Sequence, residues 1–234
     1  VATWLSRRER RPERMDDPAL PPAEHRRALR GLATINAWSR SDALLWPAVR
    51  AACRERPGHA IRVLDVASGA GDVLFRLERR AKAAGLSIDW LGVDASPVAV
   101  DHGRAEAERT GSRVRFAVAD ALAGPLPEAD VACSSLFLHH LDEGPARLLL
   151  RRKVEAAPLA LVNDLHRCRL GYLAAVVVTR VLSRSPVVHY DGPVSVAGAF
   201  TAAEALALAR SAGWAEATVA RRWPFRYLLT GRRP

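Results

Sequence analysis

The stretch Ile61-Arg62-Val63-Leu64-Asp65-Val66-Ala67-Ser68-Gly69-Ala70-Gly71-Asp72 decides the fold. Strand-forming residues run into an acid, Asp65, pass through small residues from Ala67 to Gly71, and enter an amphipathic stretch at Asp72. The pattern is a strand, a tight turn and a helix start. Small side chains let a ligand approach the backbone, and glycine permits φ values that a Cβ forbids.

Outward from this stretch, short apolar runs alternate with longer amphipathic ones. The runs 61–67, 88–94, 114–119, 131–137 and 159–164 read as strands, and 73–84, 97–109 and 145–156 as helices. Alternation at this spacing implies parallel strands joined by right-handed crossovers. Toward the end, 201–212 reads as a helix opened by a capping box, Thr201 with Glu204, and stopped by Gly213. Two strands follow, 217–223 and 226–230, separated only by Pro224 and Phe225. So short a link cannot make a parallel crossover, so they should pair antiparallel. The expected fold is α/β: a Rossmann-like, doubly wound, mostly parallel seven-stranded sheet ending in an antiparallel hairpin, with an N-terminal helical cap.

Two flanking regions have a different character. Residues 1–24 are charged and carry Pro12, Pro18, Pro21 and Pro22, which reads as a loosely packed arm. From Ala23 two amphipathic helices are expected, with Ser41 or Asp42 capping the second. They cover a sheet edge or form a lid with Asn36, Trp38 and Arg40 facing inward. Between Asp164 and Thr201 lies an insertion. It holds an apolar segment, 170–182, and then His189, Tyr190 and the turn signal Asp191-Gly192-Pro193. The domain organisation is an arm and cap over 1–55, and a core over 56–234 with a substrate-cap insertion at about 165–200.

Composition limits the function. The net charge of +10 invites a nucleic-acid partner, but the cations are scattered arginines, with Lys82 and Lys153 the only lysines. A functional basic face should cluster, so no nucleic acid is expected. Cys53, Cys133 and Cys168 form no metal or disulfide pattern. No metal is expected, and a reducing cytoplasm is the expected setting. The amino-terminal stretch lacks the apolar core of a secretory signal, and the apolar run 170–179 is short of the ~20 residues a membrane span needs.

In an open parallel sheet, ligands bind outside the carboxyl ends of the strands. Those ends bring together 65–71, Asp94, Asp120, 134–140 and 163–166. Asp94 is placed to accept the hydroxyls of a ribose, and Asp120-Ala121 suits an adenine amine. A dinucleotide turn would want a third glycine where Leu74 stands, and Asp72 would oppose a pyrophosphate. A cofactor with an ammonium group and no phosphate fits better.

With these residues in view, VLDVASGAGD, GVDASP, VADAL and CSSLFLHHL resemble, in order, the motifs of class I S-adenosylmethionine-dependent methyltransferases. The first motif, with Ala67 where many members have glycine, is similar to that of the ubiquinone and menaquinone biosynthesis methyltransferases. The resemblance covers about 61–164. It implies S-adenosyl-L-methionine as cofactor and S-adenosyl-L-homocysteine as product. Asp65 would order the turn and the cofactor's ammonium, with Ala67, Ser68, Gly69 and Gly71 along its methionine part. Asp94, Ala95 and Ser96 would adjoin the ribose, Asp120 and Ala121 the adenine, and Ser135 and Leu136 the sulfonium.

Methyl transfer is an in-line displacement, and positioning alone can lower such a barrier by about 7–11 kcal/mol. A phenolic acceptor must also lose a proton, for which His189, His139, His140 and His166 are the candidate bases. Asp164, His166, Tyr190 and Asp191 are further candidates for orienting the acceptor. Amino-methylating enzymes commonly carry Asn/Asp-Pro-Pro-aromatic after the fourth strand, where this chain reads Ser134-Ser135-Leu136-Phe137. The acceptor expected is a hydrophobic or aromatic small molecule of phenol, quinol or polyketide type, as in secondary metabolism. Methylation is expected at oxygen, or alternatively at carbon of a quinone-like ring, by a monomer or homodimer. The readings from other classes are a non-catalytic S-adenosylmethionine-binding module and an NAD-dependent oxidoreductase.

Overall fold

The computed structural model describes residues 5–17 and 19–233. The first four residues of the expected arm, and Pro18, lie outside the described residues. Strands β1 (Ile61–Val66), β2 (Ile88–Asp94), β3 (Arg115–Val118), β4 (Val131–Ser135) and β5 (Leu159–Leu165) are parallel, as expected. The last two, β6 (Ala215–Arg222) and β7 (Arg226–Arg232), form the antiparallel hairpin, and β7 also pairs antiparallel with β5. The order β3-β2-β1-β4-β5-β7-β6 reverses direction at β1. A crevice therefore opens between the carboxyl ends of β1 and β4.

Side chains alternate across each strand, so the sheet carries a core on each face. Ile61 and Val63 pack with Leu45 and Val49 of α2 (Ser41–Glu55), with Leu74 and Leu77 of α3 (Asp72–Ala83), and with Val100 of α4 (Pro97–Thr110). Leu64 and Val66 belong to the other layer, with Leu149 and Leu150 of α5 (Glu143–Ala156) and Ala205 and Ala209 of α8 (Ala202–Ser211). Each fully buried Val or Leu contributes about 1.5–3 kcal/mol of burial free energy, which fixes the strand register. The Thr201–Glu204 capping box is formed as expected.

Four local expectations are corrected. The arm is docked rather than loose: Arg8 donates to the carbonyls of Gly198, His139 and Leu141, and Arg10 pairs with Asp142. Neither Ser41 nor Asp42 caps α2, because Arg40 takes the N-cap position with φ +52°, while Asp42 pairs with Arg80. Strand β4 stops at Ser135 because Leu136 adopts φ +59°. Asp191-Gly192-Pro193 is no turn but the middle of α7 (Pro186–Gly198). Its Asp191 carboxylate accepts from Arg14 N and Met15 N instead of folding onto its own backbone. Gly192 meanwhile lets α7 press on α6 (Arg169–Leu182), since a Cβ there would lie 2.4 Å from Thr179 Cγ2. The insertion is thus a helical pair, lying beside α1 (Pro22–Trp38) over the crevice. Among the described residues, no single helix is long and apolar enough to cross a membrane.

Candidate active site

Beneath α1, α6 and α7 the crevice widens into a cavity of about 1350 Å³. Its floor is the turn after β1. Ala67 (φ +56°), Gly69 (φ +56°) and Gly71 (φ +79°) all adopt left-handed backbone. At Gly71 the demand is also steric, because a Cβ would stand 2.3 Å from Phe116 Cζ. Asp94 ties this turn to the next loop, its Oδ2 accepting from Gly69 N at 2.8 Å and its Oδ1 from Ser96 N at 2.9 Å. An L-residue in left-handed conformation costs ~1–2 kcal/mol, partly offset by the greater chain entropy of glycine in the unfolded state. Ala67→Gly is therefore expected to raise stability by about 1 kcal/mol, measurable as a shifted denaturation midpoint with no loss of cofactor affinity.

The end of the cavity at β1 is acidic and buried. Asp65 is 2% exposed and accepts from Cys133 Sγ at 3.6 Å. Burial pushes its carboxyl up to about 7, against the pull of Lys153. That lysine is itself fully buried and donates to Ser134 Oγ and the Leu161 carbonyl. Asp72 is also raised by burial, and its Oδ2 is buried without a partner. Nearby, Arg76 Nε and Arg226 Nε are likewise buried and unpartnered. The pocket end thus offers a bare carboxylate oxygen and bare guanidinium donors, a set that fits an ammonium and a carboxylate carried by one ligand.

Another stretch of wall, at the end of β5, is a chain of carboxylates and imidazoles. His139 Nδ1–H donates to Asp164 Oδ1 at 2.6 Å, and its Nε2 lies 3.4 Å from Glu13 Oε1. Burial would lower His139, but the charge and hydrogen bond of Asp164, joined by Glu13, raise it to about 10. It is an imidazolium at neutral pH. Burial would likewise raise Asp164 and Glu13, yet His139 holds both below the ordinary carboxylate range. His140 stands beside it, with Nδ1 2.8 Å from Asp16 Oδ2 and its ring stacked on Phe137. Glu13, His139 and His140 are close enough to share one cation; the proton on His139 already supplies that charge.

Of the residues the sequence nominates for the cofactor, all but Gly71 line the cavity. Asn36, Trp38, His139, His140 and Asp191 line it too. Asp164 sits behind His139, with no exposure. Arg40, His166, His189 and Tyr190 are not among the lining residues. His189 Nε2–H donates to the Ser183 carbonyl at 2.7 Å, and His166 Nδ1 accepts from Ala202 N. Tyr190 lies under the Arg14 guanidinium. Helix formation through 186–198 explains this: Val188, Asp191, Gly192 and Ser195 take the inward face, leaving His189 and Tyr190 on other faces. Sequence reading misses Glu13, Asp16, Arg76 and Arg226 as wall residues, and sees Asp72 only as unsuited to a pyrophosphate. An acid in a non-periodic arm carries no pattern. The only hint at Arg226 is its place opening the last strand, beside the end of β5.

A seven-stranded sheet of this order, with a glycine turn after β1 and acids at the ends of β2 and β3, defines the class I methyltransferase fold. A family profile described as a methyltransferase domain matches residues 63–155, and that segment is a methyltransferase domain. Demethylmenaquinone methyltransferase of Thermus thermophilus is 42% identical over 67 residues, which are 29% of this chain and 29% of that protein. The match thus spans under a third of that relative's length. Among solved structures, an O-methyltransferase family 2 protein from Planctomyces limnophilus in complex with apigenin superposes with a TM-score of 0.66 at 16% identity, covering 93% of this chain and 63% of that one. Magnesium protoporphyrin IX methyltransferase of Synechocystis with bound S-adenosylhomocysteine gives 0.57 at 13% identity, covering 86% and 87%. These likenesses extend the shared fold well beyond residues 63–155.

Proposed function

We propose that this chain binds S-adenosyl-L-methionine in the cavity and transfers its methyl group to a hydrophobic or aromatic small molecule of phenol, quinol or polyketide type, at oxygen. The observation that carries this reading is the convergence, in one cavity, of the glycine turn, the unpartnered Asp72 oxygen and the carboxylate–imidazole wall. The Synechocystis relative binds S-adenosylhomocysteine, and the Planctomyces relative holds apigenin, a polyphenol. When bound, the cofactor supplies an electrophilic methyl group.

Asp65 and Asp72 receive the ammonium, while Arg76 and Arg226 face the carboxylate. Asp94 accepts from the ribose hydroxyls with the lone pairs its two backbone bonds leave free. Asp120 uses Oδ1 on Leu122 N, which leaves Oδ2 for the adenine amine beside Ala121. Ser135 and Leu136 would adjoin the sulfonium, the left-handed backbone of Leu136 turning the chain out of β4. His140, held through Nδ1 by Asp16, takes the acceptor's proton at Nε2. His139 is already charged and acts instead as the positioning residue that anchors Glu13 and the arm. The arm and cap of 1–55 and the helical insertion at about 165–200 select the acceptor. Cys53, Cys133 and Cys168 are free thiols, which suits a reducing cytoplasm.

A carboxyl raised to about 7 holds a proton that the unfolded chain releases near pH 4, so Asp65 makes stability fall as pH rises through that window. Binding an ammonium requires the anion. Affinity for S-adenosylhomocysteine is therefore expected to weaken by up to about tenfold per pH unit below 7 and to level off above it. Titration calorimetry across pH 5.5–8.5 reads this, with a shallower profile expected for Asp65→Asn.

The function itself is tested by methyl release from purified protein against a panel of phenols and quinols. Transfer only to RNA or protein would overturn the acceptor class. The Thermus relative's activity on demethylmenaquinone favours a second reading, methylation at carbon of a quinone-like ring. NMR of the product separates the two. The same calorimetry with NAD in place of S-adenosylhomocysteine separates a nicotinamide site from this one. Since His139 supplies the cluster's positive charge, treatment with EDTA is expected to leave the transfer rate unchanged.

A further inference from the structure

We propose that the outer face of α6 and the adjoining cavity rim form a docking surface for an anionic lipid bilayer, from which a lipophilic acceptor enters. Helix α6 is apolar on two sides. Gly171, Ala174, Ala175 and Val178 line the cavity, while Leu170, Leu173, Val177 and Val181 follow i, i+3, i+7, i+11 spacing and are 68%, 56%, 60% and 74% exposed. The exposed stripe is continuous with the hairpin tip. A Cβ on Gly171 would lie 3.1 Å from Phe225 Cβ, and Trp223, 63% exposed, packs on Trp38 at 5.0 Å between ring centroids. Among the described residues, seven of the nine exposed large apolar side chains belong to this rim.

The occupant follows from charge. Helix α6 contains no acid, and Arg169 and Arg180 lie along one edge of its stripe, with Arg184 just beyond its end. Arg221 and Arg222 border Trp223. A second copy docked face to face would bring these cations against themselves. An anionic bilayer complements them instead, since arginines near the surface meet headgroups while tryptophan and aliphatic side chains enter the interface. At 14 residues α6 is too short to span, so it lies in the interfacial plane. Trp38, Trp223 and Phe225 line the cavity as well as the rim, so the same surface that meets the bilayer opens the acceptor site. That second half rests on the proposed function; the docking itself does not.

The test is co-sedimentation of the full chain with vesicles of phosphatidylglycerol and phosphatidylcholine, against vesicles of phosphatidylcholine alone. Binding to the anionic vesicles is expected, with at least a tenfold lower partition coefficient in 0.5 M salt and again in Leu173→Glu/Val177→Glu. Both substitutions lie on solvent-exposed positions, and an unchanged circular dichroism spectrum and denaturation midpoint verify the fold. No sedimentation of the wild type with anionic vesicles, or equal sedimentation of the double variant, overturns the proposal. So does a dimer in sedimentation equilibrium that the double variant abolishes, because the occupant is then a second copy. Transfer to a water-soluble phenol without vesicles reads the proposed function separately, so failure of one leaves the other standing.

Discussion

Replacing His139 with alanine is expected to destabilise the protein by about 3–5 kcal/mol, because it leaves two buried carboxylates without their cation. Asp164 is fully buried and Glu13 nearly so, and each is held in its charged form chiefly by His139. For a chain of this size the melting temperature should drop by roughly 10 °C or more. The pH dependence separates this pairing from lost packing. A histidine raised from 6.5 to about 10 contributes stability that is fully present below pH 6.5 and is lost as pH rises through 10. Lys153, lowered to about 8, acts with the opposite sign over pH 8–10.5. The diagnostic is therefore the difference between wild type and His139→Gln, measured by urea titration at pH 6, 8 and 10. That difference should shrink as pH rises. A constant difference would mean that His139 only fills space.

Replacing His140 with alanine is expected to lower kcat by about 10²–10⁴-fold, the usual span for losing a general base, while the affinity for S-adenosylhomocysteine stays unchanged. The ring lies on the cavity wall with Nδ1 committed to Asp16 and Nε2 3.7 Å from Glu13 Oε2. Removing it leaves the phenol to ionise alone, and a phenolic pKa near 10 gives only a small anionic fraction at neutral pH. Asp16→Asn should lose less, since it frees the ring without removing it. A kcat unchanged in His140→Ala, measured by methyl release in single turnovers, would transfer the role of base to another group. An acceptor methylated at carbon would show a smaller dependence on this residue.

The parts of the molecule written in local pattern were legible from the sequence. Strand-helix alternation, the Thr201–Glu204 capping box and the two-residue link at Pro224-Phe225 each determine structure within a few residues, so the sheet and its terminal hairpin could be read directly. The cavity floor was readable for the same reason, since strand ends converge by topology. The wall built by the arm and α7 was not. Asp191-Gly192-Pro193 carries a turn signal, yet packing of Gly192 on Thr179 and the two backbone donors of the arm hold it in a helix. His189 consequently faces Ser183 and not the cavity. The arginines of the arm resembled a compositional bias, but Arg8 finds three specific carbonyls across more than 130 residues of sequence. Contacts of that kind, which deliver Glu13 and Asp16 to the site, leave no local trace.

The central claim is that the turn after β1 and the acid closing β2 hold S-adenosylmethionine. Titration calorimetry of wild type and Asp94→Ala with S-adenosylhomocysteine tests it most directly, because Asp94 supports both loops and is the proposed partner of the ribose. The account predicts one site per chain, with affinity at least tenfold weaker in Asp94→Ala and no heat from NAD. No binding by a folded wild type, or equal binding by the two proteins, would contradict it.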